Sequence, residues 1–192
     1  MRQREYGFTI VELLIVIVVI GILAAITIVA FNGIQDRARD TQRVQDIQSI
    51  VKSLELYKTT YGYYPAAVST PNAGGWEVSH DGTSSTNFLS PLVTGGTVAK
   101  VPLDPINSGV VTSTTSLTPS WSTNNKLYFY HRYTAGGSGS CDPARGAFYV
   151  LGVTRFDGVP AGQSAPGSPG FECPTRNWRA EGAWVTGGYT NG

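Results

Sequence analysis

The stretch Gly7-Phe8-Thr9-Ile10-Val11-Glu12 opens the apolar run that decides the fold of this chain. The run continues to Phe31, and Glu12 is its one charged residue. As a helix, residues 8–31 would be about 36 Å long, enough to cross a hydrocarbon core of about 30 Å. A carboxylate in such a segment costs about 2.5–3.5 kcal/mol at the bilayer centre and less near an interface. Glu12 therefore requires a compensating partner.

Proline and glycine divide the chain into two parts. All 11 prolines come at Pro65 or later, and of 23 glycines only Gly7, Gly21 and Gly33 precede residue 62. The first third therefore favours helix, and the remainder favours β-structure and loops. The chain carries 14 Lys and Arg against 13 Asp and Glu. This near-neutral balance argues against a general nucleic-acid-binding protein.

Positive charge before the apolar run sets its orientation in a membrane. Arg2 and Arg4 precede the run, and such charges keep that end of a membrane helix in the cytoplasm. The residues after the helix then lie across the membrane. The run is longer than the roughly 7–15 residues of a secretory signal core, so we expect it to stay attached. Cleavage after Ala24-Ala25 is the alternative.

The N-terminal residues resemble those of a known superfamily. A short basic leader, Gly7, Phe8, Thr9, two β-branched residues, Glu12 and an apolar helix are similar to the start of a type IV prepilin or pseudopilin. The resemblance covers residues 1–61 and implies that a prepilin peptidase removes residues 1–7 by cutting between Gly7 and Phe8. The new amino group of Phe8 is then methylated. Glycine at the cut suits a narrow active site because it has no side chain.

The resemblance also gives Glu12 a partner. In pilins this carboxylate pairs with the N-terminal amine of a neighbouring subunit, and opposite charges attract strongly in a low-dielectric helix bundle. The alternative is a carboxylate that reaches the membrane interface without a partner. Gly21 is a candidate for local helix flexibility or for close helix packing. Many pilins have proline at the position of Val29, so the helix loosening known in that family is an open question here.

The function implied by the resemblance is structural, not enzymatic. We expect a pilin that polymerises through its N-terminal helix into a type IV pilus. The alternatives are a pseudopilin of a type II secretion system and a minor pilin that acts as an adhesin or DNA-uptake receptor. The implied partners are further copies of the chain, prepilin peptidase and the pilus assembly machinery of the inner membrane. The precursor is expected in the cytoplasmic membrane with its N-terminus in the cytoplasm, and the assembled subunit in an extracellular pilus.

Residues 32–61 continue the helix with an amphipathic pattern. Apolar residues recur mostly at three- and four-residue spacing, which predicts one buried stripe. They are Ile34, Ala38, Val44, Ile47, Val51, Leu54, Tyr57 and Tyr61. The dense charges from Asp36 to Asp46 fit either a solvated face with local ion pairs or salt bridges between filament subunits. Gly62 and Pro65 are expected to end the helix.

Residues 62–192 complete the predicted α+β fold as a β-rich head. The second half of the helix is expected to pack on three to five antiparallel strands. Residues 126–133 alternate, which predicts a half-buried strand, whereas residues 147–156 are apolar on both faces and predict a central strand. The other expected elements are loops over 66–87, a helical turn over 88–93, a strand after Val101–Pro105 and a strand over 183–189. Pro102-Leu103-Asp104-Pro105 resembles a segment that leads into the sheet of major pseudopilins.

Cys141 and Cys173 are the two cysteines of the chain. A head that faces an oxidising compartment could join them in a disulfide, which loop entropy makes worth about 3–4 kcal/mol. Two free thiols are the alternative. In pilins, such a bond commonly ties down a C-terminal loop that makes surface contacts.

Sequence motifs for catalysis and metal binding are absent. The sequence has no HExxH, CxxC, P-loop or GxSxG motif, and His80 and His131 stand alone, so we expect no catalytic site, no metal and no cofactor. The carboxylates suited by type to calcium, outside any DxDxDG run, are Asp104, Asp142 and Asp157.

Two clusters of basic and aromatic residues could stack on DNA bases. Ordinary outward-facing strand residues are the alternative, which the near-neutral charge favours. The first cluster is Lys126, Tyr128, Tyr130 and Arg132; the second is Arg176, Trp178, Arg179 and Trp184.

Overall fold

A computed structural model describes residues 9–68, 76–80, 87–109, 125–160 and 162–191. These residues form an α+β fold with a long N-terminal helix and a small antiparallel sheet, which confirms the predicted class. The helices are α1 (Ile10–Tyr61) and α2 (Ser90–Thr94). The strands are β1 (Glu77–Val78), β2 (Tyr128–Tyr133), β3 (Phe148–Val153), β4 (Glu172–Cys173), β5 (Arg176–Asn177) and β6 (Trp184–Tyr189). Pro143–Arg145 and Trp178–Glu181 are short 3-10 helices.

Helix α1 ends where its sequence predicts. Its last residue is Tyr61, and the N–H of Gly62 donates to the carbonyl oxygen of Lys58 at 2.7 Å. Gly62 has a φ of 80°, a left-handed conformation that glycine adopts at little cost and that closes many helices. Pro65 follows and cannot continue the helix.

The chain divides into two compact units, Met1–Ala38 and Arg39–Gly192. We call the second the head unit. It contains the second half of α1 together with the residues that follow the helix. In the first unit the large apolar side chains of α1 lie open, from Ile10 at 84% exposed to Val19 at 48%. By length and composition this helix could cross a membrane.

The main sheet has the order β1-β2-β3-β6, and all its neighbouring strands are antiparallel. Strand β3 lies in the middle and is buried on both faces, as predicted. It pairs Val150 with His131 on one side and with Gly187 on the other. Strand β6 is an outer strand of this sheet. Strands β4 and β5 form a separate two-stranded ribbon.

Two hydrophobic clusters lie on opposite sides of the main sheet. The first includes the second half of α1 and α2. Its principal members are Ile47, Ile50, Leu54, Tyr57, Leu92, Tyr128, Tyr130, Tyr149 and Leu151. The second contains Trp76, Leu127, Phe129, Phe148, Val150, Trp178 and Val185. In the predicted helix stripe, Ile47, Leu54 and Tyr57 are buried, but Ile34 and Tyr61 are 60% and 42% exposed.

Strand β2 corrects the prediction of a half-buried strand over 126–133. It begins at Tyr128, and its polar face is covered, since Tyr128 and Tyr130 are both 0% exposed. Each hydroxyl donates to an acceptor that is far away in the sequence. Tyr128 donates to Asp46 Oδ2 at 2.8 Å, and Tyr130 donates to the Pro65 carbonyl at 2.7 Å. A tyrosine ring can be buried fully when its hydroxyl finds such a partner.

One prediction about the loops was also wrong. The segment 66–87 contains the short strand β1, whose Glu77 and Val78 are buried beside β2. The two residues of β1 carry too short a pattern to be recognised in a sequence. The strand expected after Val101–Pro105 falls largely on residues outside the described ranges; at the edge of that gap, Ser108 and Lys126 form an isolated bridge.

Candidate assembly segment and its support in the head unit

The predicted processing residues, Gly7 and Phe8, lie outside the described residues. Thr9 is the first residue described, and it caps α1 together with Glu12. The Thr9 N–H and hydroxyl donate to Glu12 Oε2 at 2.8 and 2.7 Å, and the Glu12 N–H donates to Thr9 Oγ1 at 3.2 Å. This reciprocal pair is a capping box. The Thr-x-x-Glu spacing is visible in the sequence, but sequence reasoning missed it.

The apolar surface of α1 next to this cap is open in the single chain. Leu14, Ile17 and Leu23 are 55%, 59% and 58% exposed. A Cβ at the position of Gly21 would meet no neighbouring side chain within 4 Å, so either role considered for this glycine is sterically open. Val29 lies within the same helix. An uncovered apolar surface of this extent requires a lipid environment or other helices around it.

One residue of the charged segment of α1, Arg43, fits neither interpretation offered for that segment. Arg43 is neither solvated nor open to another subunit, because it is 0% exposed inside the head unit. Its Nε and Nη2 donate to the two carboxylate oxygens of Asp104 at 2.7 and 3.2 Å. Its Nη1 donates to Asp40 Oδ1 at 2.6 Å and to Asp157 Oδ2 at 2.8 Å. One buried guanidinium thus joins three carboxylates from three parts of the chain.

The carboxylates around Arg43 also hold two loops in place. Asp40 accepts from the N–H groups of Asp157 and Gly158 at 2.8 and 2.7 Å. Asp104 Oδ1 accepts from the N–H groups of Ile106 and Asn107 at 2.9 and 3.2 Å. The Arg43 network therefore anchors both the 104–107 turn and the 157–158 turn to α1. We use that name for Arg43 with Asp40, Asp104 and Asp157.

Two further cations complete the charge balance at Asp157. Arg39 Nε lies 2.8 Å from Asp157 Oδ2, and Lys126 Nζ contacts Asp157 Oδ1. Burial raises the pKa of Asp157, but hydrogen bonds from Lys126, Arg39 and Arg43 outweigh it and hold that pKa well below its usual range. Burial lowers the pKa of Arg43, yet its bonds to Asp104 and Asp157 leave it raised.

Asp46 lies one helical turn beyond Arg43, and its pKa is shifted in the direction opposite to that of Asp157. Burial raises its pKa, which the hydrogen bond from Tyr128 lowers in part and the charge of Asp104 raises again. The ionised form of Asp46 is thus disfavoured in the folded protein.

The two cysteines form a disulfide in the structure. Cys141 and Cys173 are bonded with their Cα atoms 5.0 Å apart, and Cys141 is buried in the second cluster. The bond closes a segment that includes β3 and the stretch from Gly158 to Gly170. That stretch is also fixed to the outer edge of β6, because the N–H of Gly170 donates to the Val185 carbonyl at 2.9 Å.

Neither cluster considered for DNA stacking forms an exposed platform. In the first, Tyr128 and Tyr130 are buried against α1. In the second, Trp178 is 0% and Trp184 9% exposed, and the Arg176 guanidinium lies 4.8 Å from the Trp178 ring and pairs with Glu181. The aromatic faces therefore serve the protein interior.

The carboxylates considered for calcium have other contacts. Asp104 and Asp157 surround Arg43, and Asp142 Oδ1 accepts from the N–H of Ala144 at 2.9 Å. Among the described residues, no group of three or more His, Cys, Asp or Glu side chains is arranged to hold a metal. His80 Nδ1 lies 2.9 Å from the carbonyl oxygen of Gly109.

The N-terminal part of the chain is similar to a known protein family. Residues 2–28 match the family model described as the prokaryotic N-terminal methylation motif. The resemblance to the type IV pilin and pseudopilin superfamily is confirmed. The head unit is outside this match, and no solved structure matches the chain significantly.

The curated relatives named here are type II secretion system core proteins G. The chain is 38% identical over 64 residues to that of Klebsiella michiganensis, covering 33% of this chain and 45% of the relative. It is 35% identical to that of Pseudomonas aeruginosa over 34% of this chain and 46% of the relative. It is 32% identical to that of Vibrio cholerae over 33% of this chain and 43% of the relative. The chain thus spans less than half the length of these relatives.

Proposed function

We propose that this chain is a structural subunit of a type IV pilus. Its precursor would lie in the cytoplasmic membrane, lose residues 1–7 to prepilin peptidase and be methylated at Phe8. The inner-membrane assembly machinery would then add it to an extracellular helical filament of identical subunits. The observation that carries the proposal is the uncovered apolar surface of α1 over Ile10–Phe31, most of which lies within the methylation motif matched by residues 2–28.

A second candidate is a pseudopilin that forms a short filament for type II secretion. The relatives named above favour it over the matched third of the chain. The disulfide that closes residues 141–173 favours the pilus, since an exposed filament benefits from a tied C-terminal loop. Electron microscopy of cells with and without the gene separates the two candidates: loss of surface filaments upon deletion supports the pilus, and unchanged filaments with impaired secretion support the pseudopilus.

Glu12 is the proposed assembly residue. Its cap bonds to Thr9 use Oε2, which leaves Oε1 able to accept from the Phe8 amine of a neighbouring subunit. That ion pair would set the axial register of the incoming subunit and would offset the cost of a carboxylate among apolar helices. The capping box and the proposed ion pair are thus compatible.

Substitutions at Glu12 separate these two roles. Glu12→Gln keeps a side chain that can complete a capping box but removes the charge, whereas Glu12→Ala removes both. We expect both variants to insert into the membrane and to lose ordered filaments in electron micrographs. Thr9→Val is the matched control, because it removes the cap hydroxyl and retains the Glu12 charge, and it should assemble. Normal filaments from Glu12→Gln would contradict the ion pair.

A further inference from the structure

A cleft of about 320 Å³ lies at the outer edge of β6. Its lining includes Gly187 and Gly188 of β6, Glu172 of β4, and the two arginines Arg145 and Arg179. The cleft is formed wholly within the head unit, and the function proposed above makes no use of it.

The ladder between β3 and β6 shows which backbone groups point into this cleft. Phe148 lies opposite Tyr189, and the N–H of Thr190 donates to the Ala147 carbonyl at 2.7 Å. This bond joins the residues next to the Phe148–Tyr189 pair, so Phe148 and Tyr189 form a non-hydrogen-bonded pair. The two types of pair alternate along an antiparallel ladder, so every second pair of β3 and β6 is of this type. Val185 and Gly187 belong to that series, so their N–H and C=O groups point away from β3.

Only part of this outward edge is covered in the described structure. At Val185 the N–H donates to Ser168 Oγ at 3.0 Å, and the carbonyl accepts from the N–H of Gly170 at 2.9 Å. At Gly187, in contrast, neither outward group has a hydrogen-bond partner among the described residues. The Phe171 ring occupies the space where the Cβ of a larger residue at position 187 would lie. The covering segment therefore leaves the strand at this point and exposes a short open edge.

Two arginines lie at the same edge. The Arg145 guanidinium rests 3.9 Å from the centre of the Tyr189 ring, and Arg179 is exposed beside Gly170. Neither guanidinium makes an ion pair with a carboxylate in the described residues, and Glu172 contributes the one negative charge of the lining. The cleft therefore has an excess of positive charge beside an open pair of backbone groups.

We propose that this cleft binds an extended peptide segment of a partner protein that carries a carboxylate side chain. The peptide would add to β6 by hydrogen bonds with the N–H and C=O of Gly187, as peptides add to exposed sheet edges elsewhere. Its carboxylate would be held by Arg145 and Arg179, since charge-assisted bonds from arginine are stronger than neutral ones. An extended peptide fits better than an acidic sugar, because the backbone C=O and N–H of one peptide residue can pair with the outward N–H and C=O of Gly187.

The test uses the full chain in detergent micelles and a labelled, end-capped probe of alternating valine and threonine with one central glutamate. Fluorescence anisotropy measures binding. We expect saturable binding that weakens about tenfold in the Arg145→Gln/Arg179→Gln double variant, in line with the loss of charge-assisted bonds. Lys100→Gln removes one positive charge from an exposed head-unit position outside the cleft and is the matched control, with affinity unchanged. The thermal midpoints of the variants should equal that of the parent protein.

Two altered probes separate the two parts of the proposal. A lysine in place of the glutamate should weaken binding about as much as the double variant does. N-methylation of the alternate backbone amides should weaken it too, because it blocks pairing with Gly187. Absence of saturable binding, or equal affinity for the glutamate and lysine probes, would overturn the proposal. Unchanged affinity of the N-methylated probe, together with competition by oligogalacturonate, would assign the cleft to acidic sugars instead. None of these results depends on whether the chain forms filaments.

Discussion

The two halves of α1 have similar apolar residues and opposite surroundings. Leu14 in the first half is 55% exposed, whereas Leu54 in the second half is 0% exposed. The first half is apolar on all sides, and no described residue of its own chain covers it; the second half carries polar residues on its other sides and buries one side against the sheet. Periodicity, more than apolar content, therefore indicates whether a helix packs within its own chain or requires lipid or other subunits around it.

The charged residues Glu12 and Arg43, one in each half of α1, also differ in their surroundings. Glu12 bonds to Thr9 at the helix start through one carboxylate oxygen, Oε2. Arg43 instead directs its hydrogen bonds to carboxylates of its own chain, and it is buried. The first charge suits a role between subunits, and the second suits a role inside one.

Loss of the buried charge should have the largest effect on stability. Arg43→Ala leaves Asp104, Asp40 and Asp157 without their shared cation, and removing one partner from a buried ion pair costs about 3–5 kcal/mol. We expect a decrease of about 4 kcal/mol in the free energy of unfolding. Urea titration of the full chain in detergent, followed by tryptophan fluorescence, measures it, since all four tryptophans lie after residue 75. Arg37→Ala, an exposed arginine of the same helix, is the control and should change stability by less than about 0.5 kcal/mol.

One substitution made in both halves tests the comparison directly. Leu54→Ala removes a fully buried side chain and should lower the free energy of unfolding of the head unit by about 3 kcal/mol. Leu14→Ala should lower it by less than about 0.5 kcal/mol, because no described residue of the chain covers that side chain. The same urea titration compares them. Equal losses from both substitutions would show that the first half also stabilises the head unit.

Acid should weaken the Arg43 network. The folded pKa of Asp157 is below its usual range, so the stabilisation is complete above the unfolded pKa of about 3.9 and is lost as pH falls through the folded value. We expect the parent protein to lose stability more steeply below about pH 4 than Asp157→Asn, which is less stable at neutral pH but lacks this titration. Thermal midpoints measured across pH provide the check. Parallel curves would mean that Asp157 is not held ionised.

The smallest expected effect is a gain. The folded pKa of Asp46 is raised, so its carboxylate costs stability at neutral pH, and that cost disappears when it is protonated. Asp46→Asn removes the charge and keeps an acceptor for the Tyr128 hydroxyl, so stability at neutral pH should increase by less than about 1 kcal/mol. A decrease in the urea midpoint would show that the bond from Tyr128 needs the charge.

Sequence predicts the elements whose signals are local. The end of α1 at Tyr61, the central position of β3 and the presence of strand β6 follow from proline and glycine placement and from apolar pattern. It does not predict the burial of Arg43, because Asp104 and Asp157 lie far along the chain and nothing in the helix pattern marks them as partners. The alternation of β2 likewise predicts, wrongly, that Tyr128 and Tyr130 face solvent. Their hydroxyls are satisfied inside the protein by Asp46 and Pro65, which lie far from them in the sequence.

We propose that Gly7-Phe8 is a processing site and that cleavage there frees an amine for Glu12. Mass spectrometry of the full chain purified from its native host identifies the N-terminal residue of the mature protein and decides this proposal. We expect a protein that lacks residues 1–7 and begins with an N-methylated Phe8. An intact Met1, or a mature protein that starts near Ile26, would contradict the claim.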